Sequence, residues 1–85
     1  MIITLEIPEY NKEDGLKIHW ENNFEISVKE SNSDVLIRLN KAGLTSLATQ
    51  LLSLAQDTVP TGCHIHYDEY NSLESGSKEL VIEKI

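Results

Sequence analysis

Apolar and polar residues alternate with a period of two through most of the first forty positions. This pattern is typical of antiparallel strands that bury one face and expose the other to water. Residues 22–23 and 31–34 are rich in asparagine and serine, which favour tight turns. Trp20 falls on the apolar side of its run, so we expect it in the core. The pattern predicts strands over residues 2–7, 16–21, 24–29 and 35–40.

The period changes after residue 40, where apolar residues recur at i, i+3, i+4, i+7, i+8 and i+11. That spacing places them on one stripe of a helix. Asn40 is suited to cap the helix, Gly43 weakens its start, and Val59-Pro60 stops it, so we predict a helix over about residues 41–57. We expect the stripe to cover the apolar face of the sheet. It consists of Leu44, Leu47, Ala48, Leu51, Leu52 and Ala55.

Period-two alternation returns after Pro60. Cys63, Ile65 and Tyr67 share one face of a strand, and Leu80 and Ile82 share one face of another, with a turn-rich loop between them. The order is therefore ββββαββ. We predict a single α+β domain over residues 1–85, with a mainly antiparallel sheet of about six strands and one amphipathic helix packed on one face. The helix could instead cross between parallel strands, and such a crossover would be right-handed.

The charge balance narrows the choice of partners. Fourteen acidic residues face seven basic ones, which gives a net charge of −7, and Arg38 is the only arginine. Nucleic-acid binding needs clustered basic residues, so we expect no nucleic-acid partner. An acidic surface suits a basic protein partner, although solubility alone also explains it.

The sequence also bears on location. No apolar run approaches the roughly 18 residues of a membrane span. The first residues have neither a basic region nor a long apolar stretch, so they do not resemble a secretory signal. A single cysteine, Cys63, fits a reducing compartment. We therefore expect a cytoplasmic protein without a membrane partner.

Two histidines form the clearest possible metal half-site. His64 and His66 are two positions apart, so on a strand their side chains lie on the same face. Asp68 could supply a third ligand from that face, and His19 or Glu83 could do so from other strands. No second ligand pair with recognisable spacing is present, and a solvated polar face explains the histidines more simply. We therefore predict no metal or other cofactor, and keep a His64, His66 and Asp68 site as the alternative.

Catalytic signatures are missing from the sequence. Cys63 falls on the apolar side of its strand, where a cysteine acts as a small hydrophobic residue and not as a thiolate nucleophile. The four glycines are dispersed and form no phosphate-binding loop, and no Gly-x-Ser-x-Gly occurs. We therefore predict that the protein is not an enzyme.

The loop after the histidines is the best candidate for binding a partner. Tyrosine offers a large rigid contact surface, and carboxylates beside it could meet Lys or Arg of a basic partner. Alternatively, Asp68 and Asn71 organise the turn through side-chain to backbone hydrogen bonds, and Tyr70 packs locally. The predicted partner-binding residues are His64, His66, Asp68, Glu69, Tyr70, Asn71 and Glu74.

Four segments in the second half of the chain carry a family resemblance. They are Ala42-Gly-Leu-Thr-Ser-Leu-Ala48, Val59-Pro-Thr-Gly-Cys-His-Ile-His66, Asp68-Glu-Tyr-Asn-Ser-Leu-Glu74 and Gly76-Ser-Lys-Glu-Leu80. With them, the stretch from Lys41 to Glu83 resembles the immunity protein 32 family of bacterial polymorphic-toxin systems. This stretch covers about half of the chain, and the earlier strands agree with the family only in their general pattern.

The resemblance implies a small, non-enzymatic cytoplasmic protein. Members of such families are encoded beside a toxin and protect the producing cell by binding the toxin domain, often over its active site. A basic toxin domain would suit the acidity of this chain. Two other hypotheses stay open: a small metal-binding protein that uses His64, His66 and Asp68, and a structural domain that forms a homodimer through open sheet edges.

Overall fold

The computed structural model describes residues 1–85 and contains one helix and four strands, arranged as two antiparallel hairpins. The elements are β1 (Ile26–Ser31), β2 (Asp34–Leu39), α1 (Lys41–Leu54), β3 (His64–Tyr67) and β4 (Leu80–Glu83). β1 pairs with β2, and β3 pairs with β4. The predicted α+β class with antiparallel pairing is confirmed. The prediction of one six-stranded sheet is wrong, because the helix joins two separate two-stranded sheets.

Residues 2–7 and 16–21 are not strands, although their apolar and polar residues alternate. From residue 8 onward the backbone lies against α1 and the residues that follow it, and side chains from there bind it at Pro8, Tyr10, His19 and Glu21. The Gln56 side chain accepts a hydrogen bond from Tyr10 N at 3.0 Å and donates one to Pro8 O at 3.0 Å. Backbone groups satisfied in this way do not need a neighbouring strand.

The same arrangement continues along α1. Ser46 Oγ accepts a hydrogen bond from Glu21 N at 2.8 Å, and Gln50 Nε2 donates to His19 O at 3.0 Å. Residues 8–21 are thus held to the helix by side chains that bind main-chain atoms. The short turn that closes on itself at Asn11 and Gly15 is the only strand-like pairing in this region.

The helix turns a polar face inward, contrary to the expected packing of its leucine stripe. Leu44, Leu51 and Leu52 are exposed, as are Ala48 and Ala55, and only Leu47 is partly buried against the core. The buried helical residues are Gly43, Ser46, Gln50, Ser53 and Leu54. The prediction that the stripe covers the sheet is therefore wrong, because serine and glutamine side chains are needed on the inner face to bind the N-terminal backbone. No helix of the chain has the length and apolarity to span a bilayer.

The start of α1 lies close against the beginning of β1. Asn40 caps the helix, as predicted, because its Oδ1 accepts a hydrogen bond from Gly43 N at 2.8 Å. The same oxygen also accepts from Glu25 N at 3.0 Å, and Asn40 Nδ2 donates to Asn23 O at 2.8 Å. A Cβ atom at position 43 would collide with Glu25 O. Gly43, which weakens a helix in isolation, is required here by the close approach of two backbones.

The helix ends at Leu54, three residues before the predicted end.

One core connects the two hairpins and the helix. Trp20 stacks on Phe24 with ring centroids 4.3 Å apart and meets Tyr67 edge-on at 6.0 Å. Trp20 is partly buried against the core, in agreement with its predicted position. The buried apolar residues are Ile26, Val28, Leu54, Val59, Ile65, Tyr67 and Leu73.

Residues 74–78 bridge the hairpins. Glu74 N donates to Ile26 O at 2.9 Å, and Lys78 N donates to Val28 O at 2.9 Å. Ser77 Oγ accepts a hydrogen bond from Val28 N at 3.2 Å. The inner edge of β1 is therefore occupied by the segment that leads into β4.

Burial of Tyr67 predicts a loss of stability at alkaline pH. Burial raises the pKa of its hydroxyl from 10.0 to about 12, so the neutral form is favoured in the folded state. The contribution of neutral Tyr67 to the free energy of unfolding is complete below pH 10. It is lost as the pH rises through 12, and the loss is about 3 kcal/mol at most. Tyr67→Phe should remove this pH dependence, which urea unfolding at neutral and alkaline pH would measure.

At neutral pH the same substitution should cost about 1–3 kcal/mol, because Tyr67 Oη donates to the buried Gln50 Oε1 at 2.8 Å and that oxygen would lose its donor. Tyr70→Phe, at an exposed position, is the matched control and should leave the free energy of unfolding unchanged. If the free energy of unfolding depended on pH in the same way in Tyr67→Phe and in the unaltered protein, the alkaline loss of stability would not come from the Tyr67 hydroxyl.

Candidate functional site

The residues between β3 and β4, here called the β3–β4 loop (residues 68–79), begin with a turn built by two side chains. Asp68 Oδ1 accepts hydrogen bonds from Tyr70 N at 2.9 Å and from Asn71 N at 3.0 Å. Asn71 Nδ2 donates to His66 O at 2.8 Å, and Asn71 Oδ1 accepts from Asp68 N at 3.1 Å. The two side chains organise the turn, as one of the sequence hypotheses stated.

Tyr70 projects from this turn into solvent. Its exposed fraction is 98%, so the alternative that it packs locally is wrong. Leu73, three residues later, is buried in the core and anchors the loop. Glu69 Oε1 accepts a hydrogen bond from Gly76 N at 2.9 Å and closes the middle of the loop. The loop therefore holds an exposed aromatic ring on a backbone that is fixed at several points.

The surroundings of the loop are acidic. Between residues 64 and 83 the chain has five carboxylates and a single lysine, Lys78. Lys78 Nζ lies 2.9 Å from Glu30 Oε2, outside the loop. The hydrogen bond and the charge of Lys78 lower the pKa of Glu30, and Glu30 raises the pKa of Lys78 in return. This pair engages the only lysine of the segment, so the loop carboxylates have no free basic residue within residues 64–83, and Lys29 of β1 lies beside Gly76.

The two histidines separate into different environments. His66 Nε2 lies 3.2 Å from Glu79 Oε2, and the potential ligand atoms of His66, Asp68 and Glu79 are all within 4.8 Å of one another. His64 lies outside this group, with its Nδ1 3.3 Å from Gly62 O. The structure thus brings together His66 and Asp68 of the predicted set and replaces His64 with Glu79.

Glu79 was missed because it precedes the last strand and has no fixed spacing to the histidines. The pairing of β3 with β4 supplies the connection, since His66 lies opposite Val81 and the chain enters β4 beside it. An imidazole and two carboxylates are a donor set that zinc accepts. The other ligands considered from the sequence, His19 and Glu83, are not members of the group.

A cleft of about 280 Å³ adjoins the turn. Trp20 and Ile65 line it together with His66 and Asn71. Sequence patterns did not indicate this cleft, because it forms between an irregular N-terminal segment and β3. Its lining combines apolar side chains with the polar groups of His66, Asn71 and Ser72, as anchoring pockets of protein interfaces do.

Comparison with known proteins identifies one family. The sequence model of the family described as Immunity protein 32 matches residues 34–85, which is more than half of the chain. The matched region contains β2, α1, β3, the β3–β4 loop and β4. No curated protein and no solved structure matches the chain.

Asn71 is predicted to maintain the shape of the loop. Asn71→Ala removes the bonds to His66 O and Asp68 N, and we expect a cost of about 1–2 kcal/mol and faster exchange of the Asp68 amide, which loses its acceptor. Hydrogen exchange followed by NMR would measure both. Ser75→Ala, an exposed position of the same loop, is the control. Unchanged exchange in Asn71→Ala would show that the loop is held elsewhere.

Proposed function

Because this chain belongs to the immunity protein 32 family, we propose that it neutralises a cognate bacterial toxin domain by direct, stoichiometric binding. In this proposal the protein acts in the cytoplasm, has no catalytic activity and needs no cofactor. The family match supports the immunity role, and the β3–β4 loop supports a site for it.

The single observation that carries the choice of site is the exposed ring of Tyr70 on a braced turn. An interface residue contributes most when its side chain loses little freedom on binding, and tyrosine has only two side-chain torsions. The backbone bonds made by Asp68 and Asn71 further reduce the ordering needed when a partner docks. The adjoining cleft offers a pocket for a side chain of the partner.

The charge of the loop supports a basic partner. Asp68, Glu69, Glu74 and Glu79 lie in a segment whose only lysine is already paired with Glu30. A basic surface approaching this loop gains attraction before contact, which raises the association rate at low salt. In the proposed complex, His64, His66, Glu69 and Glu74 surround Tyr70 at the contact.

The test is co-expression with the C-terminal domain of an exported protein encoded beside this gene. The unaltered protein should rescue growth. The two purified proteins should bind with one-to-one stoichiometry, and their affinity should fall as the salt concentration rises. Tyr70→Ala should weaken binding by about 2 kcal/mol, as a hot-spot tyrosine does. Glu74→Lys should slow association.

Glu13→Lys is the matched control for charge, because it makes the same change of charge at an exposed position of the N-terminal segment. It should leave rescue and affinity nearly unchanged. If the unaltered protein rescues growth and the Tyr70 and Glu74 variants bind equally well, the immunity role stands and the proposed surface is wrong. If a toxic domain is not neutralised by well-expressed unaltered protein, that pairing is wrong.

A second candidate function is metal binding, favoured by the close grouping of His66, Asp68 and Glu79. Only His66 and Asp68 come from the set predicted from sequence. Asp68 would contribute Oδ2, since its Oδ1 is occupied by two backbone N–H groups. Water molecules would complete a tetrahedral zinc site.

This candidate predicts one zinc ion per chain in an isothermal titration of the untagged protein. His66→Ala should abolish the binding heat, and Glu79→Gln should weaken it. His64→Ala is the matched control, because His64 lies outside the group, and it should titrate like the unaltered protein. A titration of the unaltered protein without heat would eliminate the candidate.

A further inference from the structure

The outer edge of β2 carries backbone groups without partners. β1 and β2 pair Ser27 with Arg38 and Lys29 with Leu36. Ile26 and Val28 direct their own backbone groups away from β2, toward residues 74–78. The alternation of an antiparallel ladder then directs the N–H and C=O groups of Val35 and Ile37 away from β1. No backbone hydrogen bond joins these groups to another segment.

The side chains of this edge are apolar on both faces. Val35 is 64% exposed, Leu36 52% and Ile37 37%. Val35 and Ile37 lie on the face that β1 buries, and Leu36 lies on the opposite face. An exposed edge with apolar side chains is a template for pairing with another strand, and most proteins block such edges with charges, bulges or proline. The central residues of β2 have none of these.

The charges of β2 are arranged symmetrically about its middle. Asp34 and Arg38 each lie two residues from Leu36, so all three side chains share one face. The two ion pairs within the chain are His66–Glu79 and Lys78–Glu30, so Asp34 and Arg38 belong to neither. With one acid and one base, β2 is neutral in a chain whose net charge is −7.

We infer that β2 pairs with β2 of a second copy of this chain, antiparallel and across a two-fold axis at Leu36, to form a four-stranded sheet. In this register Val35 lies opposite Ile37 of the partner subunit, and this pair exchanges both N–H···O bonds through the groups that point outward. Leu36 meets its own symmetry mate at the axis.

The same register pairs the charges. Asp34 of each chain lies opposite Arg38 of the partner subunit, so the symmetric contact contains two opposite-charge cross-strand pairs. This complementarity selects a second copy as the occupant. Copies of a strongly acidic chain repel each other elsewhere, whereas a basic partner is attracted to the acidic loop more than to a neutral strand. A shift of the register would oppose apolar residues to these charges.

The experiment is light scattering with size-exclusion chromatography over a range of concentrations. The unaltered protein should move from 9.6 kDa toward twice that mass as its concentration rises. Asp34→Arg places Arg opposite Arg at both ends of the ladder, and Arg38→Asp places Asp opposite Asp. Each variant alone should remain a monomer at concentrations where the unaltered protein is a dimer.

The decisive measurement is made on a mixture of the two single variants. An equimolar mixture of Asp34→Arg and Arg38→Asp restores both opposite-charge pairs, so it should form a heterodimer, and its formation proves that both variants are folded. The double variant with Asp34→Arg and Arg38→Asp in one chain should again form a homodimer. The inference is overturned if the unaltered protein stays monomeric at all concentrations, if the single variants dimerise alone, or if the mixture stays monomeric while circular dichroism shows both variants folded.

Discussion

The amide of Gln50 connects the parts of this fold that have no continuous sheet between them. Its oxygen accepts the Tyr67 hydroxyl from β3, and its nitrogen donates to His19 O in the N-terminal segment. The residue is 1% exposed, so an unsatisfied amide would carry the full cost of desolvation. This requirement fixes which side of α1 faces inward, and it positions β3 and the cleft beside the β3–β4 loop.

The elements predicted from residue 24 onward were close to those in the structure, because each has its own turn or cap. Asn23 and Asn32 adopt positive φ at the predicted turns, and Asn40 begins the helix. The wrong strand prediction at residues 16–21 has a physical cause. Alternation reports which side chains are apolar, but it does not report where the backbone hydrogen bonds go. Residues 16–21 alternate like a strand, yet their carbonyl and amide groups bind Gln50 and Ser46.

The helix and the candidate site show the same limit. The leucine stripe was visible in sequence, but so was a stripe of Ser46, Gln50 and Ser53, and hydrophobicity alone chose the wrong one for the inner face. At the site, the local turn made by Asp68 and Asn71 was predictable from neighbouring residues. The proximity of Glu79 to His66 was not, because it depends on how β4 returns beside β3. The use of Tyr70 and its acidic neighbours for binding stays a prediction.

The side chains that hold the N-terminal segment bind main-chain atoms, and this has a consequence for how the chain can diverge. Pro8 O, Tyr10 N, His19 O and Glu21 N would be offered to the helix by nearly any residues at those positions. Substitutions there can accumulate without changing the attachment, except where a proline would remove a needed N–H group. The side chains that bind these atoms, Ser46, Gln50 and Gln56, lack that freedom, and they lie within the region that matches the family. Mutational drift should therefore be faster at the exposed positions of residues 8–21 than on the helix face that holds them, while Trp20 is retained by the core.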